Sequence, residues 1–415
     1  MESNKLLKDL FLTVRNDYAG WEAKQARHNP SPFVTMLGQA YYDRRMSSLL
    51  VLQAVSQYCA GMRDRNLKFE LIAEGYVPFS RGFSVRRCAK GMFVDAVTQE
   101  ARLRPGDEVL AINRTAPERI VKNLPNPLLA ADEPEREQWN GYLKLARDIT
   151  VRHTEEMLEL ARYPVDTDAA PALRKLPGGA LLLDPGSMND AEALEAFVEA
   201  HRAVLDGCSR LVLDLRAAAG DDEEALLPLL PYIVKADCTA AEAFGDRRIR
   251  TNYTKVNCTR LIRMLTPYLV DEDPALRQMA QQLTAYYRDQ SGKGWVDEVE
   301  ELPVPAETPI QRRGPEKVVV LTDTWCEQEA ERFVQLAKQQ GRAVLLGRPT
   351  MGTLDYTNPV MVEYDEFIFT YPISRTAASL EGEGVDERGV QPDVLVPWTP
   401  EECTADLLAQ KVLTL

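Results

Sequence analysis

The sequence predicts an α/β protein built from three parts: an N-terminal helical region, a compact β-rich module and a larger α/β core. Apolar residues recur at helical spacing within residues 1–70. Short β-prone runs separated by turn signals occupy residues 71–120, and strand-like and helix-like segments alternate through residues 173–415. A chain of 415 residues is also long enough for two or three domains.

The first half of the chain changes character twice. Residues 6–11 and 46–62 each place apolar side chains on one helical face, which predicts a small helical bundle. The β-rich module follows, and its Arg-Pro-Gly-Asp sequence at 104–107 indicates a tight turn between strands. Several prolines and then a charged run from 136 to 162 predict a helical linker over residues 121–172.

The core is predicted to contain a largely parallel sheet covered by helices. Its strand-like runs, rich in valine and leucine, are 180–184, 210–216, 317–323 and 342–347. Helix-like segments follow the first three of these runs, at 189–205, 222–234 and 328–340. Residues 235–312 interrupt the alternation and are predicted to be a largely helical insertion.

Composition narrows the classes of partner and the cell compartment. The net charge of −14 makes nucleic acid and anionic membrane surfaces unfavourable partners, because both repel a polyanion. The seven cysteines form no CxxC pair, which predicts reduced thiols and no zinc site. Charges interrupt the first twenty residues, and no run approaches the roughly 20 apolar residues of a membrane span. We therefore expect a cytoplasmic protein.

Six segments resemble, in their order along the chain, those of the C-terminal-processing (tail-specific) serine peptidases. They are MRDRNLKFE (62–70), GMFVDAVTQEARLRPGDEVLAIN (91–113), RLVLDLRAAAG (210–220), VVVLTD with the Ala-Glu helix after it (318–331), GRAVLLGRPTMG (341–352) and GVQPDVLVPWTPEE (389–402). The second resembles the latter half of a PDZ domain. The resemblance implies a PDZ domain over 71–120 joined to a crotonase-like (ClpP/crotonase) α/β peptidase core.

The same resemblance indicates where catalysis should occur. The family uses a Ser–Lys dyad, or in one branch a Ser activated by a His, because a free serine hydroxyl is a weak nucleophile. The serine position is Gln328, three residues before a family glutamate. The lysine position is Thr353 and the histidine position is Asn66. Glutamine cannot form the covalent intermediate, and neither threonine nor asparagine is a base near neutral pH. The resemblance thus implies a serine-type peptidase fold without peptidase activity.

Two further features of the core bear on chemistry. The family's glycine loop, which supplies oxyanion-hole amides, is represented by Gly220 and Asp221, and a carboxylate there opposes the charge of an oxyanion. Cys326 is the fallback nucleophile, since a cysteine near a helix N-terminus can have a lowered pKa. The sequence suggests no metal site and no cofactor.

The PDZ-like module suggests a second binding site. The residues at the position of the PDZ carboxylate-binding loop are Arg81, Gly82, Phe83 and Ser84. Backbone amides of such a loop hold the C-terminal carboxylate of a peptide that adds a strand to the sheet edge. Arg81, with Arg86 and Arg87, is expected to attract that carboxylate in an otherwise acidic protein.

These observations support three hypotheses. The first is a non-catalytic homologue that binds peptide or protein C-termini through the PDZ domain and the former substrate cleft. The second is an active serine-type peptidase, or a Cys326-dependent one, that carries out proteolysis with a rearranged site. The third is an oligomeric scaffold without a peptide ligand. If the alignment is right, the side chains of Gln328 and Thr353 should approach within about 5 to 8 Å, and the Gly220 loop should face them.

Overall fold

The N-terminal region is helical, as predicted, and packs on a sheet that the sequence did not reveal. The structure, a computed structural model, describes residues 3–414 except 73, 76, 124–132, 155 and 166–168. The elements of this region are α1 (Ser3–Asn16), α2 (Trp21–Lys24), α3 (Ser31–Tyr42), α4 (Ser48–Gly61) and β1 (Lys68–Leu71). Leu6, Leu7 and Leu10 are buried on one face of α1, in one hydrophobic cluster with Phe367 and Phe369. The predicted helical face therefore covers part of a sheet from the far end of the chain.

The β-rich module extends well beyond its predicted limit at residue 120. Its elements are β2 (Phe79–Ser80), β3 (Phe83–Cys88), β4 (Gly91–Val97), β5 (Val109–Ile112), α5 (Pro117–Asn123), α6 (Trp139–Leu145), β6 (Asp148–Val151), β7 (Met157–Glu159) and β8 (Tyr163–Pro164). One hydrophobic cluster runs from Phe83 to Leu160 and includes Trp139 from α6. The predicted helical run over 136–162 is confirmed only in α6; beyond it the prediction is wrong, because alternating buried residues such as Ile149 and Val151 form a strand that pairs with β5.

The core sheet matches the prediction closely. Its first elements are β9 (Ala172–Lys175), β10 (Ala180–Asp184), α7 (Ala191–Gly207), β11 (Arg210–Asp214), β12 (Ala219–Gly220) and α8 (Leu230–Ile233). The predicted helix over 222–234 is instead a 3-10 turn, Glu223–Leu226, followed by the short α8. Pro228 and Pro231 account for the break, since proline lacks the N–H of a helix interior.

The insertion was predicted to be largely helical; it contains two long helices, but also two strands that belong to a second sheet. Its elements are β13 (Cys238–Thr239), α9 (Ala240–Phe244), β14 (Arg248–Tyr253), α10 (Lys255–Leu265), α11 (Pro274–Gln290), β15 (Gly294–Val299) and β16 (Pro309–Ile310). β14 and β15 pair antiparallel, and β14 also pairs antiparallel with a later strand, at residues 367–376. The insertion therefore forms part of the second sheet and is not a separate helical bundle.

The last part of the chain completes both sheets. Its elements are β17 (Val318–Thr322), α12 (Gln328–Gln340), β18 (Val344–Gly347), β19 (Tyr356–Glu363), β20 (Phe367–Thr376), α13 (Ala377–Glu381), β21 (Val394–Leu395) and α14 (Leu407–Val412). The core sheet has the order β21-β18-β17-β11-β10-β9, parallel except for β9. In the second sheet, β20 pairs with β1, β14 and β19. No helix among the described residues is both long and apolar enough to cross a membrane.

Candidate functional site

The predicted site assembles beyond the C-terminal ends of β11, β17 and β18, where parallel sheets of this kind collect functional groups. The backbone N–H of Gln328, the first residue of α12, donates a 2.9 Å hydrogen bond to Thr353 Oγ1. Gly220, in the loop after β11, forms an isolated parallel bridge with Gln328. The predicted proximity of Gln328 and Thr353, and the facing Gly220 loop, are therefore confirmed.

The backbone of Gln328 has a conformation that residues with a Cβ rarely adopt. Its φ is 53°, in the left-handed region, although it opens a right-handed helix. For an L-residue this costs about 1–2 kcal/mol, so the surrounding contacts must fix it. The bridge to Gly220 and the hydrogen bond to Thr353 are two such contacts.

The Thr353 hydroxyl makes hydrogen bonds that join two parts of the structure. Its hydroxyl accepts the Gln328 N–H and donates to Glu331 Oε2 at 2.6 Å. Glu331 is completely buried and also accepts the Gly352 and Thr353 N–H groups, each at 2.6 Å, and the Thr350 hydroxyl. Burial raises the pKa of Glu331, and the hydrogen bonds from Thr350, Thr353 and Gly352 oppose that rise. The carboxylate therefore holds the 350–353 segment against α12.

Asn66 reaches the same segment from the N-terminal region. Its side-chain amide donates to the carbonyl oxygens of Thr353, at 2.7 Å, and Tyr356, at 2.9 Å. An amide that donates two hydrogen bonds in this way positions backbone and offers no base. Gln328, Thr353 and Asn66, which occupy the family's catalytic positions, thus lie together in one cleft.

The glycine loop has a glycine at position 220, where no side chain fits, and a charged residue, Asp221, directly after it. A Cβ on Gly220 would lie 2.3 Å from the carbonyl oxygen of Met188, so only glycine fits there. Asp221 follows, is exposed and lines the cleft in front of Gln328. Negative charge therefore stands where an oxyanion would need positive charge or dipoles.

The cleft itself has a volume of about 730 Å³ and contains Gln328, Thr353, Asn66 and Asp221. Among its described lining residues there is no serine, cysteine or histidine. One lysine, Lys68 at the start of β1, is present. The family's serine position, Gln328, thus lies in a cleft whose described lining includes one lysine and no serine or cysteine.

Cys326 cannot act as the fallback nucleophile. Its side chain is completely buried, and burial raises the pKa of the thiol well above its ordinary value. The neighbouring carboxylates of Glu331, Glu327 and Asp323 raise the pKa further. A reactive cysteine needs an exposed thiolate, so the prediction that placed Cys326 at a favourable helix N-terminus was wrong about its surroundings.

The arginines of the β-rich module are also already paired. The Arg81 guanidinium donates to five backbone carbonyls at 2.5 to 3.0 Å: Leu143, Lys144, Ala146, Leu160 and Ala161. Arg86 is buried against Asp323 of the core, at 2.9 and 3.0 Å, and Arg87 pairs with Glu137. The expectation that these arginines attract a peptide carboxylate is wrong here, because each is bound to the protein's own acceptors.

The remaining residues of the predicted carboxylate-binding loop are packed within the protein. A Cβ on Gly82 would meet the Glu100 nitrogen and the Tyr163 ring at 2.8 Å each, and Phe83 is buried in the module. Ser84 lines a cavity of about 440 Å³ between the module and the core. β3 contacts both α6 and the 3-10 turn Pro134–Arg136. The structure therefore offers no open loop at this position.

Sequence reasoning missed the charged wall of the cleft. Arg247 comes from the insertion and bonds to both carboxylate oxygens of Glu223. Arg332 of α12 lies 3.2 Å from Glu329 and 3.6 Å from Glu300. The spacing of Glu329 and Arg332, three residues apart on one helix, was a readable signal. The contribution of the insertion had no signal in the sequence.

Glu329 titrates in an unusual range. Burial raises its pKa to about 7; Arg332 and Arg247 oppose that rise, and the like charges of Glu223 and Glu300 add to it. Burial, with a smaller contribution from the neighbouring carboxylates, therefore lets one carboxyl group of the cleft hold a proton near neutral pH. Among the described residues, no group of three or more His, Cys, Asp and Glu side chains could hold a metal ion.

The α/β core thus has a helix, α12, that begins near the end of the parallel strand β17 and faces Gly220 and Thr353. The sequence profile of peptidase family S41 matches residues 183–396, which include all of these elements. The chain belongs to this family. The resemblance to C-terminal-processing serine peptidases that the sequence suggested is thereby confirmed.

Solved structures show the same architecture. The structure of mature CPAF aligns over 99% of this chain and 95% of its own, with 12% identity and a TM-score of 0.66. A putative peptidase from Parabacteroides merdae aligns over 100% and 96%, with 12% identity and a TM-score of 0.51. At these identities the likeness shows the fold and not the activity.

Proposed function

We propose that the chain is a non-catalytic member of family S41 that binds extended peptide segments or protein termini in the cleft in front of Gln328. The observation that carries this proposal is the meeting of Gln328, Thr353 and Asn66 where the family would place its nucleophile and base. The cleft is open and large, while the chemistry of acyl transfer has no serine there to begin it.

The PDZ domain and the crotonase-like core are also proposals. Short antiparallel strands with a covering helix are compatible with a PDZ domain, and the parallel sheet with a crotonase-like core. Because Arg81 and Gly82 are closed off within the module, we assign peptide binding to the cleft in this state. The cytoplasmic location, the acidic chain's avoidance of nucleic acid and membranes, and a possible homo-oligomer remain predictions.

Hydrolysis and binding assays on the purified chain test the proposal. We expect no cleavage of fluorescent casein, no labelling by a fluorophosphonate probe, and recovery of bound peptides intact. Turnover that survives repurification and is abolished by Gln328→Ala or Thr353→Ala would refute the loss of activity. Failure to retain any member of a diverse peptide library would refute peptide binding.

A designed variant tests whether restoring the family's catalytic side chains is enough to give activity. Gln328→Ser with Thr353→Lys restores the side chains of the family dyad. We expect labelling and turnover to stay near background, because Asp221 still opposes the oxyanion and Thr353 no longer supports Glu331. Adding Asp221→Gly to this pair should raise the rate, if the loop charge is one of the obstacles.

A further inference from the structure

The charged side chains of the cleft are strongly unbalanced. Six described carboxylates line it, against three cations: Lys68, Arg247 and Arg332. The carboxylates are Asp221, Glu223, Glu298, Glu300, Glu301 and Glu329. The whole chain has 63 acidic and 49 basic residues, so the cleft is more acidic than the chain's average composition. A cavity lined by one sign of charge concentrates ligands of the opposite sign.

Two of the three cations are already used within the protein. Arg247 is held by Glu223, with further hydrogen bonds to the carbonyls of Glu300 and Glu301. Arg332 lies between Glu329 and Glu300. These pairs neutralise about two carboxylates and leave the others without a cation of their own, except for Lys68 at one end.

The uncompensated carboxylates are accessible to a ligand. Asp221 and Glu301 are exposed, and within the described part of the chain their carboxylates make no hydrogen bond or ion pair. Glu298 accepts hydrogen bonds from the hydroxyls of Tyr253, at 3.0 Å, and Tyr286. Tyrosine rings beside a carboxylate suit guanidinium and ammonium groups, which are attracted to both.

We propose that the cleft selects peptide segments carrying arginine or lysine, with Asp221 and Glu301 as the determinants of that preference. This inference rests on the proposed function, since it names the chemistry of the peptide that the cleft binds. The two exposed carboxylates add unpaired negative charge to the cleft, and Glu298, which accepts hydrogen bonds from two tyrosines, provides a place for a cationic side chain.

The titration of Glu329 gives this preference an expected pH dependence. The groups that face it are Arg332 on its own helix, Glu223 after β11, Glu300 after β15 and Arg247 before β14. A bound cation favours the ionised form of Glu329, so binding releases protons near neutral pH. Affinity for a basic peptide should therefore rise between pH 6 and pH 8.

Fluorescence anisotropy with the full chain tests the proposal. The probes are a short fluorescein-labelled peptide with three arginines, the same peptide with glutamines, and the same peptide with glutamates. We expect the arginine peptide to bind at least about tenfold more tightly than the glutamine peptide, with an advantage that shrinks at high salt. Asp221→Asn with Glu301→Gln should reduce its affinity about five- to tenfold and reduce that of the glutamine peptide by a clearly smaller factor.

A control variant removes the same charge elsewhere. Glu195→Gln with Glu272→Gln neutralises two exposed carboxylates outside the cleft and should change nothing. Equal binding of all three peptides, or equal losses in both double variants, would overturn the charge preference and leave peptide binding intact. Absence of binding by every peptide would overturn both this inference and the proposed function.

Discussion

Two glutamates on α12, two residues apart, lie in opposite electrostatic surroundings. Glu331 is buried and accepts hydrogen bonds from Thr350, Gly352 and Thr353. Glu329 faces the cleft, where other carboxylates raise its pKa further. The carboxylate of Glu331 is surrounded by hydrogen-bond donors, whereas the cleft around Glu329 carries negative charge that the protein leaves partly uncompensated.

The largest expected effect separates these two glutamates directly. Glu331→Gln places an amide group against four donors, and we expect a loss of about 3 kcal/mol in the free energy of unfolding. The matched change Glu329→Gln should alter stability by less than about 1 kcal/mol at pH 5, because there the amide replaces a carboxyl group that is protonated in the folded protein. Urea denaturation at constant pH measures both. Equal losses would show that the two regions do not differ as described.

The second effect is the pH dependence that the cleft glutamate, Glu329, contributes to stability. The folded-state pKa of Glu329, about 7, lies above its ordinary value of 4.5. The stability that its protonated form contributes is complete below pH 4.5 and is lost as the pH rises through 7. Glu329→Gln cannot ionise, so it should gain about 2–3 kcal/mol relative to the unmodified protein between pH 5 and pH 8.

Denaturation midpoints at pH 5 and pH 8 provide this measurement. Glu195→Gln, on the exposed face of α7, is the matched control, and its difference from the unmodified protein should be the same at both pH values. If the difference between the Glu329 variant and the unmodified protein is also constant across this range, the pKa of Glu329 is not raised by its surroundings in the cleft. In that case the preference for basic peptides would lose its pH dependence as well.

The smallest effect concerns the backbone at the start of α12. Gln328→Gly removes the Cβ from a residue with φ of 53° and should stabilise the protein by up to about 1 kcal/mol. Gln339→Gly, an exposed position near the other end of the same helix, should instead cost about 0.5–1 kcal/mol. Thermal denaturation of the two variants compares them. Destabilisation by both would mean that the Gln328 side chain contributes more than its strained backbone costs.

Much of this protein was determined by the sequence alone. Continuous runs of valine and leucine predicted β10, β11, β17 and β18, because a strand buried on both faces needs apolar residues at every position. Helix α12 was predicted at its observed limits, since Gly341 ends it in the left-handed conformation. The meeting of Gln328, Thr353 and Gly220 followed from the strand order and the handedness of the crossover.

Tertiary structure decided the surroundings of each side chain. No local pattern shows that Arg81 lies beside five carbonyl groups, that Cys326 is sealed from solvent, or that β14 of the insertion joins the sheet of β20. Partners such as Arg247 and Glu223, or Asn66 and Thr353, are far apart in the chain. Charge pairing and desolvation depend on distances in space, whereas a sequence reports periodicity and turn chemistry over a few residues. The fold could therefore be predicted from local sequence patterns, whereas the charge pairing and burial of the side chains in the cleft could not.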